Sequence, residues 1–242
     1  MTQREPSFDR RNLIRGTGAL GLGAFLAEAA NASPAAANLP NLVESHAQLA
    51  SRVGELLRGV CLLTPSASQG PFYLNLNHIR QDITQGLPGL PVILVFKVVD
   101  SNCAAVESAY VDVWHTDADG RYSGFASEGT AGETFMRGAQ ITGPDGLVFF
   151  QTVYPGWYQS RTAHIHVKVY IDDNQVLTTQ TYFPDFLSAA VYDLVPPYDA
   201  KGPAPVTNQN DGGYTPAAEM LWGQIPGGPL AIWTGMVLGL PD

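Results

Sequence analysis

Short strand-like segments, interrupted by turn residues, make up most of the chain. The segments are rich in aromatic and β-branched residues and have the length of strands: residues 91–100, 109–115, 147–153, 163–171 and 176–183. Gly, Pro, Asp and Asn lie between them, as in TDADG and TGPDG. Because helical segments do not alternate with these strands, the pattern predicts an all-β fold, an antiparallel β-sandwich, rather than a parallel α/β sheet.

Both ends of this β region differ from it. Apolar residues recur at helical spacing before the first strand: Leu42, Leu49, Val53, Leu56 and Val60. They predict a short N-terminal helix, which together with a linker occupies residues 33–60. From Pro184 onward the chain is rich in Pro and Gly until PLAIWTGMVLGL, which predicts a long loop-rich C-terminal segment with one late strand. With 45% hydrophobic residues the chain can bury one sizeable core, so residues 61–242 are predicted to form one domain.

Residues 1–32 have the pattern of an export signal. The arginine pair at 10–11 precedes an apolar run over residues 16–27, and small residues suited to cleavage follow near Ala32 or Ala37. The pattern is similar to a twin-arginine signal and predicts a periplasmic or extracellular protein, the alternative being a tail with an accidental arginine pair. The apolar run is shorter than the roughly 20 residues of a membrane span, so no span is predicted.

Export would allow the chain's two cysteines to pair. Cys61 and Cys103 would close a loop of about 43 residues, which contributes roughly 4 kcal/mol on the chain-entropy model. We therefore predict a disulfide between them, although spacing alone does not show that their Cα atoms are close enough.

The formal net charge is −9, and the sequence has no basic stripe. Nucleic-acid-binding proteins normally carry such a stripe. The charge therefore argues against a nucleic-acid partner and favours small molecules.

The segment AHIHVKVYI contains two of the chain's five histidines. The period of two in a strand places His164 and His166 together, opposite the apolar residues that alternate with them. Their Cα atoms would be about 6.6 Å apart at ~3.3 Å per residue, so both rings can reach one ion through bonds of about 2.1 Å. The histidine pair, flanked by Tyr158 and Arg161, predicts a metal site.

The identity of the metal follows from the other donors nearby. The sequence has no cysteine pair at zinc spacing and few further histidines, whereas tyrosines are close. A phenol with a pKa of about 10 needs about 4 kcal/mol to ionise at pH 7, and a bound cation can supply this. Because anionic oxygen ligands suit a hard trivalent ion, ferric iron is the preferred interpretation.

Four motifs in combination resemble the intradiol ring-cleavage dioxygenases of the protocatechuate and catechol branch: LTPSASQGPFY, DVWHTDADGRYSGF, FMRGAQITGPDG and YPGWYQSRTAHIHVKV. The resemblance runs from about Leu62 to Asp185. It implies one non-haem Fe(III) per chain with four protein ligands: Tyr122, Tyr158, His164 and His166. It also implies that the enzyme uses O₂ to open a catecholic ring between the two hydroxylated carbons, giving a muconate-type diacid. His115 lies in the second motif but outside the ligand set, and we interpret it as a buried, hydrogen-bonded histidine.

The resemblance implies further roles around the metal. Arg161 is expected to stabilise the negative charge that develops during the reaction. Tyr158 is expected to accept a substrate proton, and Gln180 to orient the substrate. Pro71 and Tyr73 of QGPFY correspond to a segment that lines the substrate pocket in relatives.

Two alternatives come from other functional classes. An exported, non-catalytic β-sandwich would bind copper or zinc through His164 and His166, but it would not need Tyr122, Tyr158 and Arg161 at these spacings. A degenerate relative would bind aromatic material without turnover. The sequence leaves the catecholic substrate and the homo-oligomeric state open.

Overall fold

The computed structural model of the protein describes residues 43–57, 59–225 and 230–241. In chain order, the helices and strands of these residues are α1 (Val43–Leu56), β1 (Pro91–Val99), β2 (Tyr110–Trp114), β3 (Arg137–Ile141), β4 (Leu147–Val153), β5 (His164–Ile171), β6 (Asn174–Tyr182), α2 (Asp185–Leu194), β7 (Leu221–Gln224) and β8 (Ile232–Gly239). The predicted export signal, residues 1–32, lies outside the described residues and stays a prediction. Among the helices of the described ranges, none is both long and apolar enough to cross a bilayer.

The strands form two four-stranded sheets. The first has the order β4-β1-β8-β7 and the second the order β3-β2-β5-β6. All neighbouring strands are antiparallel except β1 and β8, which are parallel. This exception arises because β8 is reached by a long connection and not by a hairpin. The predicted antiparallel β-sandwich is confirmed, with this one parallel pair.

The core lies between the two sheets. Leu94 and Phe96 of β1 face Ile165 and Val167 of β5, and all four side chains are fully buried. Burying a side chain of this size contributes about 1.5–3 kcal/mol. A one-residue slip of β5 would exchange its two faces and lose several such contributions, so the register of this strand is fixed. The same register places both histidines of β5 on the outer face of the second sheet.

Helix α1 packs on the outer face of the first sheet. Val53 and Leu57 are buried there against Ile93, Val95 and Val237. The predicted helix is confirmed over Val43–Leu56, and Leu42 of its predicted apolar pattern lies outside the described residues.

One residue of the packed face was predicted wrongly. Leu56 is 50% exposed, and Leu57 is the residue that is buried. The difference arises because Leu57 lies four positions after Val53, and its backbone N–H donates to the Val53 carbonyl oxygen at 2.9 Å, so the last helical turn places Leu57 on the face of Val53.

The segment after β6 contains a helix that the sequence analysis did not predict. Helix α2 follows Pro184 and buries Leu187 and Val191 at helical spacing. It starts the long connection to β7, which is otherwise made of loops and short 3₁₀ turns, as predicted.

The predicted disulfide is present between Cys61 and Cys103, whose Cα atoms are 5.5 Å apart. It joins the segment after α1 to the turn between β1 and β2. Replacing both cysteines with alanine is expected to lower the free energy of unfolding by about 2–4 kcal/mol, because the unfolded chain regains the entropy of the open loop. Urea unfolding of the variant and of the reduced wild type checks this. Equal stability of the oxidised wild type and both reduced forms would contradict it.

Candidate metal centre

Four side chains meet at one end of the outer face of the second sheet. His164 and His166 come from the start of β5, Tyr122 from the loop after β2, and Tyr158 from the segment that leads into β5. Tyr122, His164 and His166 are buried, whereas Tyr158 is partly exposed. The structure therefore brings all four predicted ligands together. The site is more accessible to solvent at Tyr158 than at the other three residues.

The four donor atoms are spaced as ligands of one ion. Tyr122 Oη lies 3.0 Å from His166 Nε2 and 3.5 Å from His164 Nε2. Tyr158 Oη lies 3.5 Å from His164 Nε2, and the two Nε2 atoms are 3.2 Å apart. Two ligands with bonds of about 2.1 Å at right angles are separated by about 3 Å. The site therefore has the dimensions of a first coordination sphere.

The loop that carries Tyr122 is shaped by its own polar residues. Arg121 donates from its backbone N–H to Asp117 Oδ1 at 2.8 Å and forms an ion pair with the same carboxylate. Gly120 has a φ of 83°, and a Cβ atom there would lie 2.2 Å from the carbonyl oxygen of Trp157. Only glycine allows this close approach of the loop to the segment that carries Tyr158.

The imidazole rings are oriented by contacts on their far sides. His164 Nδ1 lies 2.7 Å from the carbonyl oxygen of Thr162, which can only accept, so Nδ1 donates and Nε2 presents its lone pair to the site. His166 stacks on Trp114, with ring centroids 4.8 Å apart and an interplanar angle of 5°. Its Nδ1 has no hydrogen-bond partner among the described residues, so packing holds this ring.

Both histidines are kept neutral. Burial, together with the nearby charge of Arg161, lowers the pKa of His164 to about 4. Burial also lowers the pKa of His166 well below its ordinary value, and His164 and Arg161 lower it further. Neutral imidazoles at pH 7 are ready to bind a cation.

The phenols behave in the opposite way. Burial raises the pKa of Tyr122 well above its ordinary value, and the neighbouring Tyr158 raises it further. Burial also raises the pKa of Tyr158, although the charge of Arg161 opposes this shift. Both phenols therefore need a cation to ionise at neutral pH.

The donor set of two phenols and two imidazoles fits a hard trivalent ion better than a softer one. Among the described residues, no three His, Cys, Asp or Glu side chains come together in a metal-binding group. The side-chain donors that lie beside the two histidines are therefore the oxygens of Tyr122 and Tyr158.

The QGPFY segment covers the site with a residue that the sequence analysis did not single out. The Phe72 ring stacks on Tyr122 at 4.4 Å and 13°, and it meets Tyr158 edge to face at 6.4 Å. Pro71, which the resemblance placed at the substrate pocket, is exposed.

Tyr73, also placed at the substrate pocket by the resemblance, lies one ring further from the metal ligands. Its ring packs on Trp114 at 4.7 Å, and Trp114 in turn stacks on His166. The Tyr73 hydroxyl donates to Asp112 Oδ2 at 3.1 Å. Tyr73 also lines an open cleft of about 560 Å³, together with Tyr110, Ile141 and Tyr170.

Arg161 and Gln180 are joined in one hydrogen-bond network beside the site. Arg161 Nη2 donates to Gln180 Oε1 and, at 3.2 Å, to Tyr182 Oη. Gln180 Nε2 donates to the carbonyl oxygen of Ser68 at 2.7 Å. Arg161 Nε forms an ion pair with Asp211 at 2.8 Å, a contact that the sequence analysis missed. Asp211 comes from the loop-rich C-terminal segment, where the sequence carries no pattern that indicates a contact with Arg161.

His115 is a structural residue, as predicted. It is 0% exposed. Its Nδ1 donates to the carbonyl oxygen of Thr116 and its Nε2 accepts from Thr152 Oγ1, both at 2.7 Å. Burial lowers its pKa to about 4.

His115 should make stability depend on pH. Its folded pKa of about 4 lies below the unfolded value of about 6.5, so the unfolded state binds the proton more tightly, and stability is lost as the pH falls from about 6.5 towards 4. Between pH 7.5 and pH 5.0, wild type is expected to lose about 2 kcal/mol more free energy of unfolding than His115→Gln. Denaturant unfolding at both pH values measures this. Equal losses in wild type and His115→Gln would contradict the prediction.

Known proteins are similar to this chain in sequence and in fold. A family model described as Dioxygenase matches residues 68–208. Catechol 1,2-dioxygenase 1 of Acinetobacter lwoffii is 28% identical over 168 residues, which cover 57% of this chain and 54% of that protein. A chlorocatechol 1,2-dioxygenase of Cupriavidus pinatubonensis is 35% identical over 140 residues, which cover 48% of this chain and 53% of that protein.

A solved structure is similar as well. The intradiol ring-cleavage dioxygenase from Tetranychus urticae has a TM-score of 0.68 and 26% identity, covering 75% of this chain and 95% of its own. The chain spans about half the length of the two sequence relatives. The matched residues 68–208 contain all four side chains of the candidate metal centre.

Proposed function

Because the chain belongs to the intradiol ring-cleavage dioxygenase family, we propose that it holds one non-haem Fe(III) and cleaves a catechol-type ring between the two hydroxylated carbons. One carbon–carbon bond breaks, and both atoms of O₂ enter the product, a muconate-type diacid, so no further reductant is needed. The observation that carries the proposal is the convergence of two phenol oxygens and two imidazole nitrogens within 3.0–3.5 Å.

Tyr122, Tyr158, His164 and His166 would hold the ion. When bound, Fe(III) would act as a Lewis acid and as a template for the two adjacent oxygens of the substrate. The remaining chemistry belongs to the protein's own side chains.

The two tyrosines are suited to different tasks. Tyr122 is 1% exposed and stacked under Phe72, so it is positioned as a permanent ligand. Tyr158 is partly exposed, so a substrate hydroxyl can reach its oxygen. We assign Tyr158 as the base that takes a proton from a substrate hydroxyl.

Arg161 supplies a fixed positive charge beside the site. Its guanidinium stays protonated, and its charge lowers the pKa of both tyrosines. The positive charge therefore acts on the two phenol oxygens that become negative when they ionise. We assign it to stabilise the negative charge that develops on the substrate during ring opening. Gln180 holds Arg161 in place, and Phe72 limits the access of water to Tyr122.

Oxygen uptake with a panel of catechols, followed by product mass analysis under ¹⁸O₂, tests the proposal. The expected result is uptake of one O₂ per ring opened, with both labelled atoms in the diacid. A protein whose visible spectrum changes with catechols but that consumes no oxygen would instead be an aromatic-binding module. A colourless preparation that contains copper or zinc would favour the non-catalytic metal-binding alternative.

We also propose that the protein works outside the cytoplasm. The Cys61–Cys103 disulfide supports this location because disulfides persist in oxidising compartments. Cell fractionation of the full-length chain, compared with a variant in which Arg10 and Arg11 are lysines, tests the twin-arginine route. Equal export of both forms would contradict it.

A further inference from the structure

Residues 208–214, here called the 208–214 loop, lie against Arg161 although they are about fifty positions away in the chain. The loop is anchored at its start. The Asn208 backbone N–H donates to Asp185 Oδ1, and its Nδ2 donates to the carbonyl oxygen of Phe183, both at 2.8 Å. Asn208 Oδ1 accepts from Thr162 Oγ1 at 3.0 Å. The loop is therefore attached both to the segment that leads into β5 and to the segment that joins β6 to the start of α2.

Asp211 is the part of the loop that contacts Arg161. Its side chain is 0% exposed, and its two oxygens accept from Arg161 Nε at 2.8 and 3.1 Å. The backbone N–H groups of Thr162 and Gly213 donate to the same carboxylate, at 2.9 and 2.8 Å. A buried carboxylate with this many donors is both neutralised and fixed in orientation.

Gly213 brings the backbone of the loop against the guanidinium. A Cβ atom there would lie 2.7 Å from Arg161 Nη2 and 2.9 Å from Tyr182 Oη. No side chain fits in this position without moving the arginine. The backbone at Gly213 therefore restricts the position of the Arg161 guanidinium, in addition to the ion pair with Asp211.

These contacts determine where the rest of the guanidinium lies. Asp211 binds Nε, and Gln180 and Tyr182 bind Nη2. Because the group is planar, fixing two of its nitrogens also fixes the third, Nη1, which none of these contacts uses. The Arg161 side chain also hydrogen-bonds with Tyr158, so the fixed guanidinium lies beside a candidate metal ligand.

We propose that Asp211 is a positioning residue, which acts through Arg161 to hold the guanidinium where negative charge develops during ring cleavage. This rests on the proposed function. It also assigns a role to a residue just beyond the stretch that the family model matches, residues 68–208.

The test is a double-mutant cycle with Asp211→Asn and Arg161→Met in the iron-loaded full chain. Asp211→Asn keeps the shape of the side chain but removes its charge. We expect its kcat to fall about 10–100-fold, with KM changed less than about threefold, because positioned charge acts mainly in the transition state. In the Arg161→Met background the same change should alter kcat less than about threefold.

Two readouts do not depend on turnover. Binding of a catechol without oxygen, followed by the visible spectrum, should give a Kd for Asp211→Asn within about threefold of wild type. Urea unfolding of the four proteins of the cycle should show that the two substitutions are not additive. Asp199→Asn, an exposed carboxylate of the same segment, is the matched control and should match wild type.

Gly213→Ala provides a second variant if Asp211→Asn does not fold. It keeps both charges but displaces the guanidinium, so the same loss of kcat is expected. An unchanged kcat in both variants, or an equal loss with and without Arg161, would overturn the positioning role. A wild type that consumes no oxygen with any catechol would instead overturn the proposed function itself, whereas additive unfolding energies would overturn the ion-pair coupling alone.

Discussion

Tyr122→Phe is expected to lower ring-cleavage activity at least about 1,000-fold, which corresponds to about 4 kcal/mol. The variant keeps the ring that stacks on Phe72 but loses an oxygen that lies 3.0 Å from His166 Nε2. The site then has one anionic donor fewer, at a buried position where water cannot easily replace it. Ferric ion should therefore bind more weakly, and its colour should change.

Metal analysis, the visible spectrum and oxygen uptake measure this prediction together. Tyr110→Phe is a matched control, because Tyr110 Oη on the same face of the sheet has no hydrogen-bond partner among the described residues. The control should keep the iron, the colour and the activity of wild type. A Tyr122→Phe protein that is indistinguishable from wild type would remove Tyr122 from the coordination sphere.

Arg161→Met is expected to reduce kcat/KM by about 100–1,000-fold, the usual effect of removing one charge-stabilising donor from an active site. Iron content and colour should stay near those of wild type, since Arg161 is not one of the four donors. The substitution also leaves Asp211 as a buried, unpaired carboxylate, which is expected to lower the free energy of unfolding by about 3–5 kcal/mol.

Expressing kcat/KM per iron-loaded chain separates the loss of activity from the loss of stability. Adding Asp211→Asn to Arg161→Met should restore much of the stability but none of the activity. Arg52→Met, an exposed position on α1, is the control for loss of an arginine charge. If Arg161→Met kept full activity, the charge of Arg161 would have no part in the reaction.

The strand pattern predicted most of the fold. Six strands, β1, β2, β4, β5, β6 and β8, lie where alternating or apolar segments predict them. Strands β3 and β7 were missed because they are short and each contains a glycine, Gly138 or Gly223, on which another side chain packs closely. Helix α2 was missed because the proline and glycine residues that follow it dominate the composition of the C-terminal segment, although the helix itself contains neither. Turn composition therefore obscures short elements that are stabilised by tertiary packing.

Some residues of the site could be predicted from a local sequence pattern, and others only from the family motifs. Alternation along β5 alone indicates that His164 and His166 share a face, because the strand period is a local property. The short sequence distance alone places Tyr158 beside the histidine pair, whereas its role as a ligand and the position of Tyr122 followed only from the family motifs, since loops carry both residues.

Phe72 and Asp211 were missed for a different reason. No periodicity shows which residue of QGPFY turns inward, and no pattern indicates that a carboxylate some fifty residues away forms an ion pair with Arg161. Such contacts are set by how loops return to the sheet, which a one-dimensional sequence does not show.

The most direct measurement is the metal content and visible spectrum of the purified full-length protein after loading with ferric ion. Coordination by the side chains of Tyr122, Tyr158, His164 and His166 predicts one iron per chain and a wine-red colour from charge transfer between phenolate and iron. A colourless protein that binds no iron, or that prefers copper or zinc, would contradict it.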